Sequence, residues 1–297
     1  MKNIFKGSGV ALVTPFNNDG SIDFDALRSL VRLQIEGGTD FLVVQGTTGE
    51  SPVLTSGEKE EVLKTVIEEN AGKLKIVYGV GGNNTTDVGE KLKKVPAGVD
   101  GILSVSPYYN KPTQKGIIEH YKHIAACTEL PIILYNVPGR TGSNVLAETT
   151  LEIARTVKNI VAVKEASGSM EQIMEIIRLR PEGFGVLSGD DAITMPLIAA
   201  GADGVISVVA NAFPEKFSEM VNASIEENLP KARKAHYDLL AVTKMFFEEG
   251  NPAGVKVALA KRGIMKPNLR LPLVQVSEVL KTRIEKETES LVLESVK

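Results

Sequence analysis

Short apolar, β-branched runs bounded by Gly, Pro, Asn or Asp alternate along the chain with longer stretches whose apolar positions recur every three or four residues. The runs predict strands over 9–13, 41–45, 75–80, 101–105, 132–136, 160–164, 184–188 and 204–207. Most are apolar throughout rather than alternating, so both faces are covered, as in a parallel sheet wrapped by helices. The helical stretches carry ordinary boundary chemistry: Asp23 precedes the face of Ala26, Leu27, Leu30 and Val31, and Gly37-Gly38 ends it. Eight strand–helix units predict an α/β fold, a (β/α)8 TIM barrel, ahead of a doubly wound sheet.

No strand signal follows Ser207. The remainder reads as helices over 215–226 and 229–249, one opened by Asn251 as N-cap with Pro252 at the first helical position, and a last one beyond Pro272. The expected organisation is therefore a barrel over residues 1–223 with a C-terminal helical region over 224–297. Residues 287–297 are expected to form a surface helix or a frayed end.

Composition narrows the function classes. With 43% hydrophobic and 24% charged residues, the 297-residue chain can bury a large core, and a net charge of -3 leaves no basic footprint for nucleic acid. A single cysteine, Cys127, excludes intrachain disulfides and multi-cysteine metal sites, which suits a reducing compartment. The apolar stretch Val10 to Val13 is too short for a signal-peptide core or a membrane span, so a cytoplasmic protein is expected.

In barrels of this kind chemistry sits at the C-terminal ends of the strands. The sixth predicted strand ends in Lys164 directly after an apolar run. Low-polarity walls disfavour a charged ammonium, and a neutral amine attacks a carbonyl to form an imine. The plainer reading is a lysine snorkelling to solvent. The fifth strand places Tyr135 at the matching level, where a phenol could pass protons or merely pack at the core edge. After the second strand, Gln45-Gly46-Thr47-Thr48-Gly49-Glu50-Ser51 combines close backbone approach with hydroxyls and amides suited to a carboxylate, although such turns are common. The fourth strand leads into Ser106-Pro107-Tyr108-Tyr109-Asn110-Lys111-Pro112, an aromatic loop on the same face that could equally be packing or interface.

Other motifs fail. Asn84 stands where a dinucleotide fingerprint needs its third glycine, and no P-loop occurs. The acidic Ser188-Gly189-Asp190-Asp191 disfavours a phosphorylated substrate, and its two aspartates read as helix-start residues rather than metal ligands. His120 and His123 share a helix face without a completing carboxylate and read as surface histidines. No metal is expected.

Three segments carry a resemblance: Gly46-Thr47-Thr48-Gly49-Glu50, Tyr135-Asn136-Val137-Pro138-Gly139-Arg140-Thr141-Gly142 and Val163-Lys164-Glu165-Ala166. In order and spacing, over nearly the full chain, they resemble the pyruvate-dependent class I aldolases and lyases of the dihydrodipicolinate synthase/N-acetylneuraminate lyase group. Ser188-Gly189-Asp190-Asp191, Gly204-Val205-Ile206-Ser207 and Asn251-Pro252 also match. The resemblance implies a Schiff base between Lys164 and pyruvate, with no separate cofactor, and an enamine that attacks an aldehyde. Tyr135 would donate and accept protons, and Thr47 and Tyr109 would complete a hydroxyl relay, with Tyr109 arriving from a neighbouring subunit. Thr48 and Ile206 would contact pyruvate, and Gly189 would line the pocket. Arg140 points to the synthase branch, where a guanidinium receives the carboxylate of L-aspartate 4-semialdehyde on the diaminopimelate route to lysine. The alternatives are a sialic acid or 2-keto-3-deoxy sugar acid lyase of the same group, and a barrel that only binds metabolites. Small-molecule substrates and a homo-oligomer, tetramer or dimer, are implied, with neither nucleic acid nor membrane as partner. Asn83 and Tyr108 match the regulatory cleft of lysine-inhibited relatives. Ser56 and Lys59 stand instead of histidines, and Asp87 instead of a longer glutamate, so weak or absent lysine inhibition is expected.

Overall fold

The computed structural model describes residues 1–294. Eight strands close into a barrel in sequence order: β1 (Gly7–Ala11), β2 (Phe41–Val44), β3 (Lys75–Gly79), β4 (Gly101–Val105), β5 (Ile132–Asn136), β6 (Ile160–Glu165), β7 (Gly185–Ser188) and β8 (Gly204–Ser207). Neighbours run parallel throughout, and β1 pairs with β8 to complete the ring. Between them run α1 (Phe24–Glu36), α2 (Ser56–Asn70), α3 (Thr85–Leu92), α4 (Gln114–Ala125), α5 (Pro138–Thr141), α6 (Ala147–Thr156), α7 (Met170–Leu179) and α8 (Thr194–Ala199), and α9 (Pro214–Ile225) follows β8. Asp23 caps α1 by accepting from the Ala26 amide, and Thr55 with Glu58 forms a capping box on α2.

Strand alternation separates two apolar layers. Phe41, Val43, Ile133, Tyr135 and Leu187 face the barrel axis. Leu42, Val44, Ile132, Leu134 and Val186 face the helices and join Leu27, Leu30 and Ile117 in the larger outer core, each buried aliphatic side chain contributing ~1.5–3 kcal/mol. Phe5 and Phe41 plug the floor with ring centroids 5.7 Å apart. Two glycines make room for them: a Cβ on Gly101 would lie 2.4 Å from the Phe5 ring, and one on Gly9 would lie 2.2 Å from the Phe41 ring. The floor of the barrel interior is thus filled with carbon.

β1 begins two residues earlier than expected. Gly7 and Ser8 pair with Gly204 and Val205, and a Cβ on Gly204 would meet the Gly7 carbonyl at 2.2 Å, so the strand starts at residues without a β-branched signature. It also ends earlier, because the Val13 amide turns to the side chain of Asn211.

Past the barrel lie α10 (Leu229–Glu248), α11 (Ala253–Lys261) and α12 (Glu278–Glu294). α10 packs along α9 and α12, and α11 against α12. The expected boundary at 223/224 falls inside α9. Asn251 does not cap α11, whose N-cap is Pro252; its side chain is drawn away into the barrel mouth. α12 carries the tail to Glu294, and the expectation for 295–297 lies outside the described residues. His120 is no surface residue: it is 3% exposed, with its ring bonded to Thr85 at 2.8 Å, and burial pushes its pKa down to about 4, whereas His123 is exposed. Among the described residues no helix is long and apolar enough to cross a membrane.

Candidate active site

Tyr135 and Lys164 are register partners on β5 and β6, so alternation turns both towards the barrel axis at one level. Lys164 is 6% exposed, and its Nζ lies 4.4 Å from the centre of the Tyr135 ring. Among the described residues no hydrogen bond or ion pair reaches that nitrogen. Ile206 on β8 and Leu187 on β7 belong to the same inner layer and form part of its apolar surroundings. Gly189 follows β7, where a Cβ would stand 3.1 Å from Lys164 Cε and 2.6 Å from Ala166 Cβ. Only glycine leaves the lysine stem its place.

At the end of β2 the backbone turns sharply, with Gln45 at φ 65°. The turn fits because Gly79 lies against it, where a Cβ would meet the Gln45 carbonyl at 2.3 Å. Residues Thr47–Gly49 form a 3-10 turn in which Thr47 is exposed and Thr48 buried. The Thr48 hydroxyl accepts from Asn251 Nδ2 at 3.0 Å, and the Thr14 hydroxyl donates to the Gly49 carbonyl at 2.6 Å.

Glu50, next in the chain, is buried in a left-handed conformation at φ 54°. Its carboxylate accepts from Lys256 Nζ at 2.5 Å and from the Arg270 amide at 3.2 Å. Lys256 also donates to the carbonyls of Thr14 and Asn268, each at 2.8 Å. Burial lowers its pKa to about 8 even though Glu50 pulls the other way. Helix α11 and the segment after it therefore hold the Thr47-Thr48 turn from behind. Sequence reasoning missed this arrangement, and the one local signal was an apolar helix, α11, interrupted by a lysine.

Arg140 and Tyr109 lie on the rim. Arg140 is exposed on the short helix α5, and Tyr109 is 87% exposed at φ 72°, its amide donating to the Thr141 carbonyl at 3.4 Å. Neither side chain makes a hydrogen bond or ion pair among the described residues. The structure thus gathers Lys164, Tyr135, Ile206 and Gly189 into one packed group, with Thr47 and Thr48 on the β2 turn. It leaves Arg140 and Tyr109 free at the mouth.

The acidic pair divides its work. Asp190 caps the turn that follows it through the Ala192 amide, whereas the buried Asp191 reaches across to the amides of Val208 and Val209 at 2.9 and 3.0 Å. Burial pushes the Asp191 carboxyl up. Among the described residues no group of three or more His, Cys, Asp or Glu could hold a metal ion.

Lys164 and Tyr135, from two of the three sequence segments, stand side by side at the end of the barrel's apolar inner layer, and among the described residues the lysine nitrogen has no hydrogen-bond or ion-pair partner. Similar proteins share the whole chain rather than the segments alone. The 4-hydroxy-tetrahydrodipicolinate synthase of Parabacteroides distasonis is 53% identical over 270 residues, 91% of each chain. The crystal structure of dihydrodipicolinate synthase from Aquifex aeolicus superposes with a TM-score of 0.93 at 41% identity, covering 97% of this chain and 99% of that one. The chloride-inhibited dihydrodipicolinate synthase of Acinetobacter baumannii, complexed with pyruvate, superposes with a TM-score of 0.92 at 38% identity, covering 96% and 98%. Residues 4–291 match the dihydrodipicolinate synthetase family, and the chain belongs to it.

Proposed function

We propose that the protein is a lyase that joins pyruvate to L-aspartate 4-semialdehyde, giving 4-hydroxy-tetrahydrodipicolinate for lysine biosynthesis. The observation that carries this reading is Lys164, a buried amine that, among the described residues, has no hydrogen-bond or ion-pair partner beside the Tyr135 ring. Its lone pair adds to the C2 carbonyl of pyruvate, and loss of water leaves an iminium. Removal of a proton from C3 gives an enamine, whose C3 attacks the aldehyde carbon of the second substrate. The amino group of that substrate then displaces Lys164 from C2, closing the ring and returning the free amine. Tyr135 is the proton donor and acceptor for these steps, relayed through Thr47 and through Tyr109 of a neighbouring copy. Thr48 and Ile206 hold pyruvate, Gly189 keeps the lysine stem clear, and Arg140 receives the semialdehyde carboxylate.

The names of the relatives and the pyruvate held by the Acinetobacter baumannii protein support the substrates. Tyr109, 87% exposed on its own chain, supports a working homo-oligomer. Reduction with borohydride in the presence of pyruvate tests the mechanism by mass spectrometry: a pyruvate-dependent adduct mapping to Lys164 is expected, and its absence from folded protein would sink the reading.

We also propose weak or absent feedback inhibition by lysine. Burial and the neighbouring Lys91 charge both push the Lys59 ammonium down, and Asp87 is already paired with Lys91 at 2.7 Å. A cationic effector meets two cations and an engaged carboxylate. Initial rates with up to millimolar lysine should be unchanged; half-inhibition below a millimolar would contradict this.

A further inference from the structure

Directly behind the reactive pair lies a second pair that no step of the reaction uses. Asn136 follows Tyr135 on β5 and Glu165 follows Lys164 on β6, and these two are also register partners. Alternation sends them outward, away from the barrel axis, so the two pairs sit back to back on the same rungs. Glu165 is fully buried, and its two oxygens accept from Asn136 Nδ2 at 3.0 and 3.1 Å. Gln172 Nε2 on α7 donates to it at 2.8 Å, and so does the Ser167 amide. The Gly189 amide completes the rung by donating to the Glu165 carbonyl at 2.8 Å.

The polarity of this cluster is fixed. The Val145 amide can only donate, and it takes Asn136 Oδ1 at 3.0 Å, which leaves Asn136 Nδ2 for the carboxylate. Asn144 Nδ2 likewise donates to Gln172 Oε1 at 2.8 Å, which aims Gln172 Nε2 at Glu165. Glu165 therefore faces donors only, and an acceptor-only carboxylate fits where an amide does not. Burial pushes its carboxyl up, while the bonds from Asn136, Gln172 and Ser167 pull it down. Asn144 and Val145 belong to the segment that directly follows the α5 turn bearing Arg140, so the cluster is joined through the backbone to Lys164, to Tyr135 and to the Arg140 turn.

We propose that Glu165 is a positioning residue for the reaction, with Gln172 as its keeper: together they clamp the outward faces of β5 and β6 so that Lys164 and Tyr135 stay level and the Arg140 turn stays docked. This rests on the imine chemistry assigned to Lys164 above. Neither residue touches substrate, so the clamp acts on the rate of the steps rather than on pyruvate affinity.

The test uses the full-length protein in four forms: wild type, Glu165→Gln, Gln172→Ala and the swap Glu165→Gln/Gln172→Glu. Each is measured for kcat, KM for pyruvate, the rate of borohydride-trapped adduct formation at Lys164, and folded fraction by circular dichroism. Glu165→Gln turns an N–H towards donors, and kcat should fall about 10- to 100-fold with KM for pyruvate within about threefold and the adduct still on Lys164. Gln172→Ala should cost less, about threefold in kcat. In the swap, the new amide on β6 can accept from Asn136 and Ser167 while donating to the new carboxylate on α7, whose other oxygen receives Asn144; that carboxylate also meets the Val145 carbonyl, to which Gln172 Nε2 donates at 3.2 Å, so kcat should recover only in part, to at least about threefold above Glu165→Gln. A Glu165→Gln enzyme with kcat within twofold of wild type would overturn the clamp. So would a loss of kcat that merely tracks folded fraction in all three variants, or a swap no better than the single substitution. A wild type that forms no adduct would overturn the imine reading itself, and the clamp with it.

Discussion

Lys164 and Lys256 are both buried, 6% and 0% exposed, and each holds its Nζ 4.4 Å from the centre of an aromatic ring, Tyr135 for one and Phe16 for the other. They differ in the acceptors around the nitrogen. Lys256 meets three, Glu50 and the carbonyls of Thr14 and Asn268, which matches the three N–H bonds of an ammonium. Lys164 meets none among the described residues. Burial alone therefore does not make a reactive amine. A lysine whose every N–H is taken is a rivet, whereas one without acceptors has no hydrogen bond to break before it meets a carbonyl.

The largest effect is expected at Lys164. Lys164→Ala should abolish pyruvate-dependent adduct formation and turnover while melting no lower than wild type, because its removal strands no partner; an adduct elsewhere in that variant would erase the distinction. Lys256→Met should do the reverse in kind. It leaves Glu50 buried without a counter-charge, a loss of about 3–5 kcal/mol in a denaturant titration, and Glu50→Gln/Lys256→Met should restore most of it. A Lys256→Met protein as stable as wild type would show that the rivet carries nothing.

Arg140 sharpens the comparison as a third cation, exposed and partnerless among the described residues. Arg140→Ala should lower kcat/KM for the semialdehyde about 10- to 100-fold with adduct formation intact, and equal loss of both would assign it another role. The smallest effect is on pH dependence. An unfolded lysine holds its proton to about 10.5 and Lys256 only to about 8, so between those values unfolding takes up a proton and this residue's contribution to stability rises with pH. Thermal melts of wild type and Lys256→Met across that interval should diverge by up to ~1.4 kcal/mol per pH unit, and parallel curves would refute the depressed value.

The strands and the placement of Lys164 beside Tyr135 were legible because both follow from short-range rules. An apolar run buried on both faces announces a parallel strand, and a lysine or tyrosine at its end is placed by the barrel. What escaped depends on distant partners. Asn251 before Pro252 gives the same local signal as an N-cap, yet its amide is taken by Thr48 at the far end of the chain. Asp191 has the signature of its own turn's cap, yet it serves the amides after β8. His120 reads as a surface histidine because no carboxylate completes a metal site with His123, yet it lies buried against Thr85 on α3. Glu165 stood in a recognised segment, but which groups meet it on the outward face is decided by register with Asn136 and by the packing of Gln172 on α7.

The tie between Glu50 and Lys256 spans 206 residues, and this distance sets a timetable for synthesis. At roughly 5–20 residues per second a ribosome needs on the order of 10–40 s to travel from one to the other. Throughout that interval the nascent chain carries the β2 turn with its carboxylate unmatched. The turn behind Thr47 and Thr48 can take its final form only once α11 has left the exit tunnel, so a translation product that stops short of α11 can already contain Lys164 and Tyr135 and still lack the fastening of its β2 turn.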